Sequence, residues 1–243
     1  GLYRGITWQA SSQHEVADIR RNMGEKTAGS IIVAPNLPPL PDDSTSEPVK
    51  KDRREPGDPL RIVFLSRITP NKNLDFALKV LGRVSVTVVF DIYGSVFDEI
   101  YWRYCRELIQ GLPGNIRVTY NGLLPHEQVA EVLPQYDLFF LPTRGENFGH
   151  VIYEALIAGL PVLISDQTPW RDLEENGIGW DLSLEEPEKF SSIIEKVYGM
   201  EEFKLRALKE KAVSYSLKFI EASGALEKNR KLFNFAYQSN NRE

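Results

Sequence analysis

Two rhythms of apolar residues alternate along this chain. From residue 60 onward, short apolar runs recur at 62–65, 86–93, 116–120, 138–141, 162–165 and 179–182. Several are unbroken, as expected of strands buried on both faces of a parallel sheet. Between them the spacing changes to that of a helix. Leu74, Ala77, Leu78 and Leu81 follow i, i+3, i+4, i+7, with Gly82 as the stop. Phe190, Ile193, Ile194 and Val197 repeat the pattern behind Pro187. A further helix is predicted from about 149 to 158, ended by Gly159 and Pro161. Strand and helix in strict alternation predict an α/β fold, a doubly wound parallel sheet with right-handed crossovers.

The ends of the chain read differently. Residues 6–8 and 31–33 look like strands flanking a helix at 12–23, an N-terminal βαβ piece too small to bury a core alone. Seven of the fifteen prolines fall between Pro35 and Pro59, an interval without aromatic residues that reads as a linker. From Glu201 to Tyr237 only helical signals remain. The division expected is therefore 1–34, a linker at 35–59, a doubly wound domain at 60–218 and a terminal helical segment at 219–243.

Composition narrows the function. Of 243 residues, 42% are hydrophobic and 26% charged, ordinary values for a globular protein. No apolar run approaches the roughly 18 residues of a membrane-spanning helix. A formal charge of −5 argues against non-specific nucleic-acid binding and obliges any anion site to supply its own cations. The run Lys50-Lys-Asp-Arg-Arg54 carries its own Asp and reads as solvated linker. One cysteine, Cys105, excludes an internal disulfide and a Cys-based zinc site. The start, Gly1-Leu-Tyr-Arg4, has neither Met nor the apolar core of a signal peptide and reads as the start of a fragment or processed chain.

Ligands of open parallel sheets sit beyond the carboxyl ends of the strands, so the loops after the strands carry the chemistry. The loop after the fourth predicted strand holds Glu146-Asn147-Phe148-Gly149-His150-Val151, and Glu154 follows in the helix. Backbone N–H groups at that helix start favour a phosphate. A carboxylate on either side can accept hydrogen bonds from hydroxyls. Phosphate flanked by hydroxyls describes a nucleotide-sugar. The loop after the first strand adds Arg67 and Lys72, a fork and a point charge suited to a diphosphate. Tyr93-Gly94-Ser95 follows the second strand, where glycine permits close approach of a ligand or simply a turn. Asn121-Gly122-Leu123-Leu124 follows the third and could hold a base edge-on.

Other signatures fail. Gly24 to Ser30 nearly spells a P-loop but puts Ser30 at the lysine position. Gly177 and Gly179 lack the third glycine of a dinucleotide fingerprint. No Asp-x-Asp occurs, and His14, His126 and His150 share no ligand spacing. Tyr101, Trp102 and Tyr104 read as helix packing, and Trp170 and Trp180 as core or rim.

Taken in order, Ser66-Arg67…Lys72, Tyr93-Gly94, Gly122-Leu123-Leu124, Glu146-Asn147-Phe148-Gly149 with Glu154, and the Ala158-Gly159-Leu160-Pro161-Val162 exit resemble the C-terminal domain of glycosyltransferase family 4. That family is retaining and has the GT-B fold of two Rossmann-like domains facing a cleft. The resemblance covers about residues 60–200. Thr7–Ser12 and Val33–Asn36 are also similar to its interdomain segment, and the last helix, about 221–237, to the one that crosses back to the N-terminal domain. The resemblance implies that Arg67 and Lys72 bind the donor diphosphate and that Glu146 holds the sugar hydroxyls. It implies that Phe148, Gly149 and His150, in one turn with Asn147 and Val151, offer backbone N–H groups. Glu154 would hold the ribose, Gly94 would adjoin the donor, and Leu124 would line the base site. His150 stands where many members carry an aliphatic residue, which leaves its side chain's role open.

Further implications are a UDP-sugar donor, a saccharide or lipid-linked acceptor, and no metal or other cofactor. A cytoplasmic location follows, with room for peripheral contact at the inner membrane face, and most of an N-terminal acceptor domain is expected outside this chain. Two other readings stay open: a nucleotide-sugar epimerase of similar architecture, and a non-catalytic nucleotide-binding or scaffolding module.

Overall fold

The computed structural model describes residues 6–11, 13–24, 30–35, 55 and 57–240. The chain start, most of the proline-rich stretch with its Lys50–Arg54 run, and the centre of the near P-loop lie outside them. Two compact units emerge: Gly1–Pro39 with Leu217–Glu243, and Leu40–Ser216.

In the larger unit, β3 (Leu60–Leu65), β4 (Val88–Tyr93), β5 (Ile116–Tyr120), β6 (Leu138–Leu141), β7 (Val162–Ser165) and β8 (Gly179–Leu182) form one sheet. The order is β5-β4-β3-β6-β7-β8, and every pairing is parallel. The chain builds outward from β3 to β5, returns to the middle at β6, and builds outward again to β8. The reversal leaves a crevice between the carboxyl ends of β3 and β6.

Burial follows this order. The central strands β6 and β7 are buried at every position, and β3 at all but Arg61. Strand β4 alternates buried and half-buried residues, and β5 at the edge fully buries only Ile116. The helices α2 (Leu74–Leu81), α3 (Glu99–Gln110), α4 (His126–Val132), α5 (His150–Ile157) and α6 (Leu173–Asn176) form the five crossovers, and α7 (Pro187–Tyr198) follows β8. Phe190 of α7 packs edge-on against Phe76 of α2 at 5.1 Å and against Phe140 of β6 at 5.9 Å. Burying each such ring contributes about 2 kcal/mol.

Tyr101 is half-buried, and its hydroxyl donates to Asp75 Oδ1 at 2.7 Å, while Trp102 is buried. Both are packing residues of α3, as their spacing suggests. Cys105 is buried among them, which pushes its thiol up to about 11.

The smaller unit pairs β1 (Trp8–Ala10) with β2 (Ile31–Val33) in parallel around α1 (Gln13–Met23). Its other part contains α9 (Ala225–Asn240), whose Asn229 side chain donates to the Pro35 carbonyl at 2.6 Å. Helix α8 (Glu202–Ser223) precedes it in sequence.

Several boundaries differ from the sequence reading, among them that of β3, which begins at Leu60 and not Ile62. Strand β1 begins at Trp8, not Ile6, because its register is set by Trp8 opposite Ile31 and Ala10 opposite Val33. Strand β4 begins at Val88, not Val86. There the Asn115 side chain donates to the carbonyls of Val84 and Val86 at 3.0 and 2.8 Å and holds that segment out of the ladder. The helix expected at 221–237 is two helices, broken at Gly224, which adopts φ +57°.

Candidate functional site

The loop after β3 is shaped by one residue. Asn73 adopts the left-handed conformation, φ 61°, and its carbonyl receives the amides of Phe76 and Ala77 to start α2. Asn tolerates this better than other side chains. Ahead of it, Pro70–Lys72 forms one turn of 3-10 helix. This folds Lys72 inward, where it is buried.

The loop after β6 is sewn onto this turn. Arg144 donates its amide to the Asn71 carbonyl at 2.7 Å and its Nε to Asn73 Oδ1 at 3.1 Å. Asn71 Nδ2 donates to the Gly145 carbonyl at 3.1 Å, and Thr143 Oγ1 to the Asn71 carbonyl at 3.1 Å. On its other side, the Glu146 amide donates to the Gln167 carbonyl at 3.1 Å, and the buried Ser165 hydroxyl donates to the Thr143 carbonyl. Loops after β3, β6 and β7 thus form one layer over the crevice. Across it Lys72 Nζ donates to Glu146 Oε1, with side chains only 11% and 16% exposed.

Helix α5 starts from Gly149 at φ 77°, and a Cβ there would meet Ile152 Cδ1 at 2.8 Å. The amides of His150 and Val151, at the helix start, have no intrahelical acceptor. The preceding turn is fixed by Trp170, whose Nε1 donates to the Phe148 carbonyl at 2.6 Å. The exposed His150 ring packs on Phe148, 4.8 Å between centroids. Asn147 is exposed.

One turn into α5, the Glu154 side chain is 16% exposed. Burial holds its carboxyl above the usual range, and His126 works in the opposite direction. His126 Nδ1 lies 3.6 Å from Glu154 Oε1. His126 opens α4, beyond the loop after β5.

Arg67 is exposed, its guanidinium 5.3 Å from the centroid of Phe97. Main-chain bonds from Ile68 to Ser95 and from Phe97 to Ile68, at 2.9 and 3.3 Å, dock that loop against the one after β4. Gly94 owes its identity to the same junction. A Cβ would fall 1.8 Å from the Ser66 carbonyl oxygen, so the close approach is to backbone. The loop after β5 buries Leu124 and leaves Leu123 71% exposed.

The structure therefore sets Lys72 against Glu146, places Glu146 through Glu154 along one loop and helix start, and puts Arg67 on the loop next to them. Several contributors carried no sequence signal for this site. His126 figured only among histidines that share no metal-ligand spacing, and its partner lies 28 positions away in another element. Asn71, Asn73, Arg144 and Ser165 act through loop-to-loop bonds that no periodicity shows. Among the described residues, no three His, Cys, Asp or Glu side chains gather as a metal site. No helix among them is long and apolar enough to cross a membrane.

Residues 45–214, most of the chain and all of this crevice, match the family described as Glycosyl transferases group 1. The chain belongs to this family. It is 28% identical over 137 residues to the GPI3 subunit of a phosphatidylinositol N-acetylglucosaminyltransferase from Saccharomyces cerevisiae, covering 55% of this chain and 30% of that protein. It is 25% identical over 108 residues to the GtfA subunit of a UDP-N-acetylglucosamine–peptide N-acetylglucosaminyltransferase from Streptococcus pneumoniae, 43% of this chain and 20% of that protein. The chain spans about a third or less of these relatives' length.

Among solved structures, sucrose-phosphate synthase from Thermosynechococcus elongatus superposes with a TM-score of 0.74 at 20% identity, covering 98% of this chain and 60% of that one. The Anabaena protein HepE in complex with UDP-glucose superposes with a TM-score of 0.64 at 17% identity, covering 93% and 63%. These likenesses establish the fold, a Rossmann-like doubly wound sheet as the sequence pattern predicts.

Proposed function

We propose that the crevice between β3 and β6 binds a nucleoside-diphosphate sugar and that this chain supplies the donor half of a retaining glycosyltransferase. The observation that carries this reading is the Lys72–Glu146 contact beside the start of α5: a cation for phosphate and a carboxylate for sugar hydroxyls meet where helix amides stand free. Arg67 and Lys72 take the diphosphate, with the amides of Phe148, Gly149 and His150 and the same turn's Asn147 and Val151. Glu146 orients the sugar and Glu154 the ribose hydroxyls. The loop from Gly122 to Leu124 meets the base through its main chain, since Leu124 itself is buried.

In the transfer, the bond between the anomeric carbon and the phosphate oxygen breaks. The acceptor oxygen bonds that carbon on the same face, and the leaving phosphate takes the acceptor's proton. Charge develops on that phosphate, so Arg67 and Lys72 act most strongly in the transition state. The donor is a UDP-sugar, a reading that accords with HepE's complex with UDP-glucose. The acceptor is a saccharide or lipid-linked saccharide, met by an N-terminal domain that forms the cleft's second wall and excludes water. Residues 1–34 and the helix after residue 218 belong with that domain, and no metal or other cofactor takes part. The reaction runs in the cytoplasm, with peripheral contact at the inner membrane face.

Calorimetric titration of the chain with UDP and with GDP tests the reading. UDP binding with a dissociation constant below about 1 mM is expected. If neither nucleotide binds in that range, the donor-site reading fails.

A further inference from the structure

Glu154 is set apart from the other carboxylates of the site. Glu146 is held by Lys72, whereas the mostly buried Glu154 has no hydrogen-bond donor on either oxygen among the described residues. What faces it is His126 from the start of α4, 3.6 Å away at Nδ1: too far for a direct hydrogen bond, near enough for an ion pair. The imidazole is 65% exposed, so it can rotate and hydrate, while the carboxylate cannot escape its desolvated position.

We infer that His126 is a positioning residue for the donor's ribose, holding one oxygen of Glu154 so that the carboxylate presents its other oxygen to the vicinal 2′- and 3′-hydroxyls. The inference rests on the donor-site reading above. A diol is held best by an ionised carboxylate that accepts both O–H bonds. A carboxylate losing its water to burial drifts towards the neutral acid, which accepts less well. His126 opposes that drift, and its place beyond the loop after β5 is on the flank where that loop would meet the base. On its own helix, Glu154 has His150 one turn earlier, and α4 also carries Glu127 and Glu131. Of these, His126 is the one whose ring nitrogen faces a Glu154 oxygen, at 3.6 Å.

The test titrates UDP and 2′-deoxy-UDP into the unsubstituted 243-residue chain and into H126A, H126N, E154A and the H126A/E154A double variant. Because His126 is exposed, its substitution leaves the fold intact, which a melting curve checks. The unsubstituted chain should prefer UDP by about tenfold, the scale of one hydrogen bond to a charged group. H126A should lose most of that preference, and H126N, which offers an N–H but no charge, should regain only a small part of it. In the E154A background, H126A should change nothing, the non-additivity expected of residues acting through one contact. H126A retaining the full preference, or weakening both nucleotides equally and additively with E154A, would overturn the inference while leaving the donor site intact. A chain that binds neither nucleotide would instead remove the donor-site reading, and this inference with it.

Discussion

Lys72 and Glu146 are 74 residues apart in sequence and bonded to one another across the crevice. Each is the other's counter-charge in a mostly buried position, so the pair holds back part of what each could give a donor. If Lys72 serves the diphosphate and Glu146 the sugar, neutralising the acid should release the cation. Glu146→Gln is expected to bind UDP a few-fold more tightly while losing sugar transfer, because a freed ammonium gains a charge-assisted bond to phosphate. Titration of UDP together with a transfer assay checks this. A loss of UDP affinity as large as that of Lys72→Ala would mean that Glu146 props the lysine in place instead of competing for it.

Glu154 should bind nucleotide at a cost to the fold. Glu154→Ala is expected to weaken UDP by about 1–3 kcal/mol, the effect of removing a buried partner. Glu154→Gln should raise the melting temperature at neutral pH. The sign follows from the raised carboxyl: the folded state holds the proton more tightly than the unfolded state does. Ionising Glu154 therefore disfavours the fold as pH rises through and above the usual carboxylate range. At pH low enough to protonate it in both states, the advantage of Gln should vanish. Melting curves of both proteins from pH 3 to 8 measure this, and an advantage of the Gln variant over the unsubstituted chain no larger at pH 8 than at pH 3 would contradict it.

Beside Glu154 lies a buried hydroxyl without a partner. Tyr153 is fully buried, its OH makes no hydrogen bond among the described residues, and desolvation pushes its phenol up to about 12. Removing that oxygen should cost nothing. Tyr153→Phe is expected to keep or raise stability by up to about 1 kcal/mol in denaturant unfolding. A loss of more than that would reveal a bond to the hydroxyl.

Gly94 carries the opposite expectation. Its φ is 142°, and a Cβ would drive into the Ser66 carbonyl. Gly94→Ala should destabilise by about 3 kcal/mol, the upper end for single substitutions, and weaken UDP by displacing the loop of Arg67. Equal stability of the variant, measured by urea unfolding, would show that the junction yields.

These residues also mark how far the sequence could be read. The six strands were legible because buried parallel strands such as Phe139-Phe140-Leu141 are apolar without interruption. The strand order was not legible, and it is this order, with β6 returning beside β3, that brings the loops of Arg67 and Glu146 together. The Lys72–Glu146 bond itself was not legible. Both residues are individually suited to a donor, and only the turn at Asn73 shows that they face each other. Gly94 could be read two ways until the Ser66 carbonyl was seen against it. His126 gave no sign, because an exposed histidine at a helix start acquires meaning only from what α5 sets opposite.

A structure of this chain soaked with UDP bears most directly on the central claim. The account predicts the diphosphate over the His150 and Val151 amides, within hydrogen-bond reach of Arg67 and Lys72, and the ribose hydroxyls on Glu154. Nucleotide density elsewhere on the molecule, with Lys72 still bonded to Glu146 and an empty crevice at saturating UDP, would contradict it.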